Sequence, residues 1–353
     1  MSDLKVYRMV DVNKLVRDSV KKLTPYSCAR DEFTGKTGIF MDANENPYGN
    51  LNRYPDPYQR QLKKAISKVK EIKEEDIFLG NGSDEIIDLC LRVFCNPGVD
   101  KALTFTPTYG MYEVSASVND IEVIKVPLND SFQIDLKKAE ASFSDKNLKL
   151  IFICSPNNPT ANSMNFKDVE YIITKFNGIV VIDEAYIDFS EKPSFVNLVN
   201  KYPNLIILQT FSKAFGLAAV RVGMAFSNPV IVKYLNKLKP PYNISTINQK
   251  AVLVKLDKME EYKNQVFKIK KDRVRLSANL LKMKIAERVY PSDANFLLVK
   301  VKNASYIYNA LVNRNIIIRN RSSLFDNCLR ITIGKKSEND KLITTLNELD
   351  HLI

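Results

Sequence analysis

Histidine is almost missing from this chain of 353 residues: the single copy, His351, stands at the C-terminal end. That all but removes a Ser-His-Asp triad, a Cys-His pair and a His-based metal site, because each needs a histidine held in a formed pocket. Cysteine is also sparse. The five, at 28, 90, 95, 154 and 328, are odd in number and contain no Cys-x-x-Cys, so reduced and mostly buried thiols are expected. Long apolar runs are absent too: Gly178-Ile179-Val180-Val181-Ile182 is the length of a strand, far short of a membrane span. The first residues carry Asp3, Asp11 and Asp18 and lack an apolar centre, which argues against a secretory signal and a transit peptide. The expectation is a cytoplasmic protein with no membrane partner and no metal.

A surplus of cations does exist, 52 Lys+Arg against 40 Asp+Glu, for a formal charge of +12. No pure basic block accompanies it. The stretches from Lys68 to Asp76 and from Lys258 to Lys263 mix both signs, and no nucleic-acid recognition motif is present. Solvated helix faces account for most of the charge, and attraction of anionic small substrates is a second use. Whatever chemistry exists must rest on Lys, Arg, Tyr, Asp or a borrowed cofactor.

With 45% hydrophobic residues the chain can bury a substantial core, enough for one large domain or two. Leu15, Val16, Val20 and Leu23 share a helical face, so residues 11–23 are predicted as one helix. Ser83-Asp84-Glu85 opens another over 83–95, its acids placed where the helix dipole favours them. Between 100 and 226, apolar runs alternate with helical stretches: Lys101–Phe105, Ile121–Val126, Leu148–Cys154, Gly178–Ile182, Leu205–Leu208 and Val222–Phe226. Runs that are apolar throughout suit strands buried on both faces of a mainly parallel sheet. After Pro240-Pro241 a helical stretch is expected over 247–286, then strands at Phe296–Val301, Ile316–Ile318 and Leu329–Ile333. The fold class is α/β: a large domain over 45–245, and a small α+β domain made from 1–44 and 246–353.

Open parallel sheets bind ligands beyond the carboxyl ends of their strands. Three strands here run into polar sequences: Ser155-Pro-Asn-Asn-Pro-Thr160, Asp183-Glu-Ala-Tyr186 and Thr210-Phe-Ser-Lys213. Any one alone reads as turn chemistry or a helix cap, but three in this order would converge on one crevice. Lys213, followed by Gly216 and Arg221, can form a Schiff base with an aldehyde. Asp183 can keep a pyridine nitrogen protonated, and Tyr186 and Asn158 can hold a phenolic oxygen. Thr210, Ser212 and Arg221 offer hydroxyls and a guanidinium to a phosphate, and Gly80-Asn-Gly-Ser-Asp84 offers backbone N–H groups at a helix start. That inventory describes a site for pyridoxal 5′-phosphate.

At these residues the chain resembles the fold-type-I aminotransferases along nearly its whole length, and within them the histidinol-phosphate aminotransferases. Leu23-Thr-Pro-Tyr26, Asn44-Glu-Asn-Pro-Tyr-Gly49, Arg53-Tyr-Pro-Asp56, Pro107-Thr-Tyr-Gly-Met-Tyr112, Arg221-Val-Gly223 and Leu329-Arg-Ile-Thr-Ile-Gly334 extend the likeness. The resemblance implies a seven-stranded, mainly parallel sheet between helices. It implies that Lys213 carries the cofactor and moves the substrate proton, that Asp183 pairs with the ring nitrogen, and that Tyr186 and Asn158 hold the phenolic oxygen. Tyr109 would stack on the ring, or else be ordinary aromatic core. Gly82, Ser83, Asp84, Thr210, Ser212 and Arg221 would surround the phosphate, with Tyr54 reaching it from the partner of a homodimer with shared sites. Arg330 and Arg319 would bind the anionic end of the substrate, helped by Tyr26 and Asn44; Arg319 also reads as an ordinary surface ion-pair residue. One departure stands out: Asn158-Pro-Thr-Ala161 places Ala where the family usually has Gly.

The implied reaction moves an amino group from L-histidinol phosphate to 2-oxoglutarate, in histidine biosynthesis. An aromatic amino-acid aminotransferase or a threonine-phosphate decarboxylase would use the same cofactor residues. A regulator that senses the cofactor would need an attached DNA-binding module, and no helix-turn-helix segment is evident before residue 45.

Overall fold

The computed structural model describes residues 10–26 and 38–351. Cys28 therefore lies outside the described residues. Seven strands form the larger sheet: β1 (Ile77–Gly80), β2 (Lys101–Thr106), β3 (Glu122–Pro127), β4 (Leu148–Cys154), β5 (Ile179–Asp183), β6 (Leu205–Thr210) and β7 (Gly223–Ser227). Their order is β1-β7-β6-β5-β4-β2-β3. Pairings from β6 across to β3 are all parallel, whereas β7 runs antiparallel to both its neighbours. The α/β class and the mainly parallel seven-stranded sheet read from the sequence are both present.

The apolar runs follow from burial on two faces. On β4, Ile151 and Ile153 enter one core cluster while Leu150, Phe152 and Cys154 enter the other; β5 and β6 alternate in the same way. Helices close both faces, among them Ser83–Phe94, Phe166–Lys175 and Pro229–Leu238. A second sheet, entirely antiparallel, has the order β10-β11-β9-β8 and comprises β8 (Ala286–Val289), β9 (Phe296–Val301), β10 (Arg319–Asn320) and β11 (Cys328–Thr332). Its own apolar cluster includes Leu276, Val299, Ile331 and Leu346.

Several expectations are corrected. The single helix over 11–23 is two short ones, Val12–Leu15 and Asp18–Lys22. Val16 between them is extended and Arg17 donates its N–H to the Val93 carbonyl at 3.0 Å, a tertiary bond that interrupts the helix. Val12, Val16 and Val20, assigned by sequence to the small domain, pack into the large-sheet cluster with Phe78 and Leu235. The stretch 247–286 divides at Asp257-Lys258 into Thr246–Leu256 and Met259–Leu280. Ile316–Ile318 is not a strand, because its ladder begins only at Arg319, opposite Arg330. Strands β1 and β8 were not foreseen: β1 is four residues with no alternation, and β8 (Ala-Glu-Arg-Val) is partly charged.

Among the described residues no helix is long and apolar enough to cross a membrane. No group of three or more His, Cys, Asp or Glu among them could hold a metal ion. Cys90, Cys95, Cys154 and Cys328 are buried and unpaired.

Candidate active site

Strands β4, β5 and β6 deliver their carboxyl ends to one crevice, and the N-terminus of the helix Ser83–Phe94 meets them there. Ser83, Asp84, Tyr109, Asn158, Asp183, Tyr186, Thr210, Ser212, Lys213 and Arg221 line one cavity of about 130 Å³. Of the residues expected around the cofactor, Gly82 borders this cavity through Arg221, and Tyr54 is elsewhere.

Asp183 forms the floor. It is 3% exposed; one carboxylate oxygen accepts from Tyr112 Oη at 2.8 Å and the other from the Ala185 N–H at 3.0 Å. Burial pushes its pKa up to about 6, and those two donors hold it from rising further. Tyr112 is itself fully buried, stacked on Phe152 with ring centroids 5.0 Å apart and edge-on to Tyr109. A carboxylate so desolvated, with two neutral donors and no cation among the described residues within bonding distance, fits a cationic ring N–H.

Lys213 approaches from the β6 loop, with Nζ 5.6 Å from the centroid of the Tyr186 ring. Burial first, then the nearby Arg330, pulls its pKa below the ordinary lysine value. Tyr186 is buried, and its hydroxyl accepts from Asn158 Nδ2 at 3.4 Å. The loop bearing Asn158 is tied down by its neighbour: Asn157 Nδ2 donates to the Pro107 carbonyl, and Thr108 Oγ1 donates to Asn157 Oδ1 at 2.7 Å. Ala161 holds φ at +69° in full burial, so the loop keeps the left-handed geometry that glycine normally supplies.

The other end of the cavity is built around Arg221, whose own φ is +53°. Its Nη1 reaches Ser212 Oγ at 3.4 Å and its Nη2 reaches Asp84 Oδ2 at 3.4 Å. A Cβ on Gly82 would stand 2.5 Å from Arg221 Nη2, and one on Gly223 only 2.4 Å from the Ser83 nitrogen. Gly223 is therefore required by close approach to backbone, and Gly82 by its left-handed φ of +79°. The guanidinium, two hydroxyls (Thr210 and Ser212) and a helix N-terminus supply the donors a phosphate monoester needs.

A second cavity of about 780 Å³ opens from the first and shares Tyr109, Asn158, Tyr186 and Lys213 with it. Arg319, Arg321 and Arg330 line it. Arg330 Nη1 donates to Asn158 Oδ1 at 2.6 Å, which joins the small sheet to the loop after β4. Sequence reasoning placed Arg319 and Arg330 here but missed Arg321, although an extended Arg319-Asn320-Arg321 segment puts both ends on one face. It also gave Tyr112 no role; its place in the same short segment as Tyr109 was the available signal.

Tyr26, Asn44 and Tyr54 are not brought to this cavity within the chain. Tyr26 is 74% exposed. Asn44 and Tyr54 line a separate hollow of about 400 Å³ with Glu45, Arg53 and Ser245. Tyr54 stacks on Tyr242 with centroids 4.4 Å apart, and its N–H donates to Glu45 Oε1.

The sequence profile of the family "Aminotransferase class I and II" matches residues 39–346. A histidinol-phosphate aminotransferase of Cytophaga hutchinsonii is 48% identical over 342 residues, covering 95% of this chain and 98% of that protein. The crystal structure of the histidinol-phosphate aminotransferase from Clostridium acetobutylicum superposes with a TM-score of 0.79 at 28% identity, covering 86% of this chain and 92% of that one. The Sinorhizobium meliloti enzyme of that name, solved in complex with pyridoxal-5′-phosphate, shares the fold with a TM-score of 0.77 at 24% identity, over 88% and 90% of the two chains. The chain belongs to the class I and II aminotransferases and, among them, to the histidinol-phosphate aminotransferase family.

Proposed function

We propose that this protein binds pyridoxal 5′-phosphate in the smaller cavity and transfers the amino group of L-histidinol phosphate to 2-oxoglutarate, giving imidazole acetol phosphate and glutamate in histidine biosynthesis. The observation that carries this is the continuity of two chemically distinct cavities, with Lys213 on the wall they share.

Bound there, the cofactor supplies an electron sink for the pair left when a substrate C–H bond breaks. The protein's residues do the remaining work. Asp183 accepts the ring N–H, and its position is fixed by Tyr112 and Ala185. Tyr186 and Asn158 hold the phenolic oxygen. Thr210, Ser212, Arg221 and the backbone from Gly82 to Asp84 hold the phosphate. Lys213 supplies the amine that anchors the cofactor; its lowered pKa keeps a larger neutral fraction, so Nζ can take the proton from the substrate carbon and return it. Tyr109 flanks the ring position.

Arg330 and Arg319 take the anionic end of either substrate, since histidinol phosphate and glutamate both present an anion. Within one chain Tyr54, Asn44 and Tyr26 lie away from Lys213. The reading that best suits this placement is a homodimer in which they complete the partner's site.

Purified protein loaded with pyridoxal 5′-phosphate should form glutamate from histidinol phosphate and 2-oxoglutarate. Release of carbon dioxide from threonine phosphate, or turnover of aromatic amino acids with none of histidinol phosphate, would reject the assignment.

A further inference from the structure

The antiparallel ladder of the small sheet turns a third arginine toward the larger cavity. Arg319 lies directly opposite Arg330, and the Arg321 N–H continues the ladder by donating to the Cys328 carbonyl at 2.8 Å. Residues two apart on a strand share a face, so Arg321 stands beside Arg319 and diagonal to Arg330. All three line the cavity together with Tyr186 and Lys213.

Their charge is not compensated. Among the described residues no carboxylate forms an ion pair with any of the three, although arginines such as Arg53, Arg60 and Arg275 elsewhere are paired. The side-chain partner of Arg330 is the neutral amide of Asn158. The Nε atoms of Arg321 and Arg330 are buried and make no hydrogen bond among the described residues. Burial, followed by repulsion from Arg330 and Arg319, holds Arg321 below the usual guanidinium pKa, yet an arginine does not give up its proton in a protein. Three fixed positive charges thus share one cavity.

The charge count selects among anions. A carboxylate has one charge and one planar edge, which a single guanidinium fork can saturate. A phosphate monoester carries about −1.5 to −2 at pH 7 and three strong acceptor oxygens. Only the second can engage three guanidinium groups and relieve their repulsion.

We propose that Arg321 is a specificity-determining residue which completes a three-arginine receptor for the phosphate of the amine donor, setting the preference for phosphate over carboxylate. This rests on the reaction proposed above. The two are separable because the reaction is read from the parent protein and the role of Arg321 from a ratio.

The experiment measures kcat/KM for histidinol phosphate and for glutamate in the loaded parent, Arg321→Gln and Arg321→Lys. The ratio of the first to the second should fall about tenfold to a hundredfold in Arg321→Gln, the effect of losing one charge-assisted hydrogen bond to a desolvated anion. Arg321→Lys should lie between, since it keeps the charge and loses the fork. The preference of the parent for histidinol phosphate over histidinol should decline as pH drops through about 6, where the ester gains a proton. That decline should be shallower in Arg321→Gln. If the phosphate-to-carboxylate ratio is the same in all three proteins, Arg321 has no part in specificity, whatever the variants do to the overall rate. A parent that leaves histidinol phosphate untouched overturns both the reaction and the role given to Arg321.

Discussion

The two connected cavities are built on opposite principles. At the sheet ends, nearly every polar group has a partner inside the protein: Asp183 with Tyr112 and Ala185, Asn157 with Pro107 and Thr108, Arg221 with Ser212 and Asp84. The cavity there is small, about 130 Å³. At the small sheet, the cavity is about 780 Å³ and its arginines have no carboxylate partners among the described residues. A pocket whose groups are pre-satisfied suits one constant occupant, held in a fixed orientation through every cycle. A pocket left electrostatically unfinished suits occupants that alternate, because each brings its own counter-charge.

The largest expected effect breaks the wall between the two. Lys213→Ala should reduce transamination by about a thousandfold or more, since both anchoring and proton transfer are lost. It should still bind pyridoxal 5′-phosphate without a covalent link, because the contacts proposed for the phosphate and the ring nitrogen do not involve Lys213. Absorbance titration together with single-turnover kinetics checks both halves. Next in size, Arg330→Ala attacks the unfinished end. Removing one partner of a desolvated ion pair costs about 2–5 kcal/mol, or roughly thirtyfold to several thousandfold in kcat/KM. Both histidinol phosphate and glutamate should suffer, while cofactor affinity changes far less.

A third substitution tests the pre-satisfied end. Tyr112→Phe removes a donor that holds the pKa of Asp183 down from burial's full effect. The sign follows: the Asp183 pKa of about 6 rises further, so at a given pH more of the carboxyl is protonated and unable to accept a cationic N–H. Affinity for the cofactor should therefore fall as pH drops through about 6 in the parent, and at higher pH in Tyr112→Phe. Near pH 6 the two should differ by about tenfold, the scale of one hydrogen bond to a charged group. Identical profiles would show that Tyr112 does not support Asp183. The smallest effect is at Ala161, where glycine would relieve a left-handed φ of +69° but give up a buried methyl. These oppose each other, so Ala161→Gly should change unfolding free energy by less than about 1 kcal/mol, measured by denaturant titration.

What the sequence disclosed follows the same division. Strands β4, β5 and β6 were legible because burial on two faces makes them apolar throughout, and their ends were legible because polar residues follow directly. Lys213, Asp183, Tyr186 and Asn158 meet because each sits within a few residues of such an end. Arg321 was not seen, since it follows a strand of only two residues, Arg319–Asn320, and its backbone partner Cys328 lies on another strand. The break at Val16 was invisible for a different reason: the helical periodicity continues through it, and only the bond from Arg17 to the distant Val93 interrupts the helix. At Lys258 the backbone leaves helical geometry, with φ −112° and ψ 43°, inside a stretch whose periodicity runs on. The separation of Tyr54 and Asn44 from Lys213 is likewise a matter of three-dimensional placement that spacing cannot encode.

The reversed direction of β7 has a consequence for how little chain the site consumes. In a sheet whose strands all run one way, the segment after β6 would have to cross the whole thickness of a layer, with a dozen or more residues, before starting the next strand at the opposite edge. Here β6 ends at Thr210 opposite Gly223, where β7 begins, so the connection leaves and re-enters at the same edge. Lys213 and Arg221 therefore belong to one loop, 211–222, and both face the ligand crevice without a crossover between them. The length of that loop is thereby constrained from both ends. Adding or deleting a single residue would displace the amine relative to the guanidinium, and a compensating slip of β7 by one position would turn its side chains to the wrong faces of the sheet.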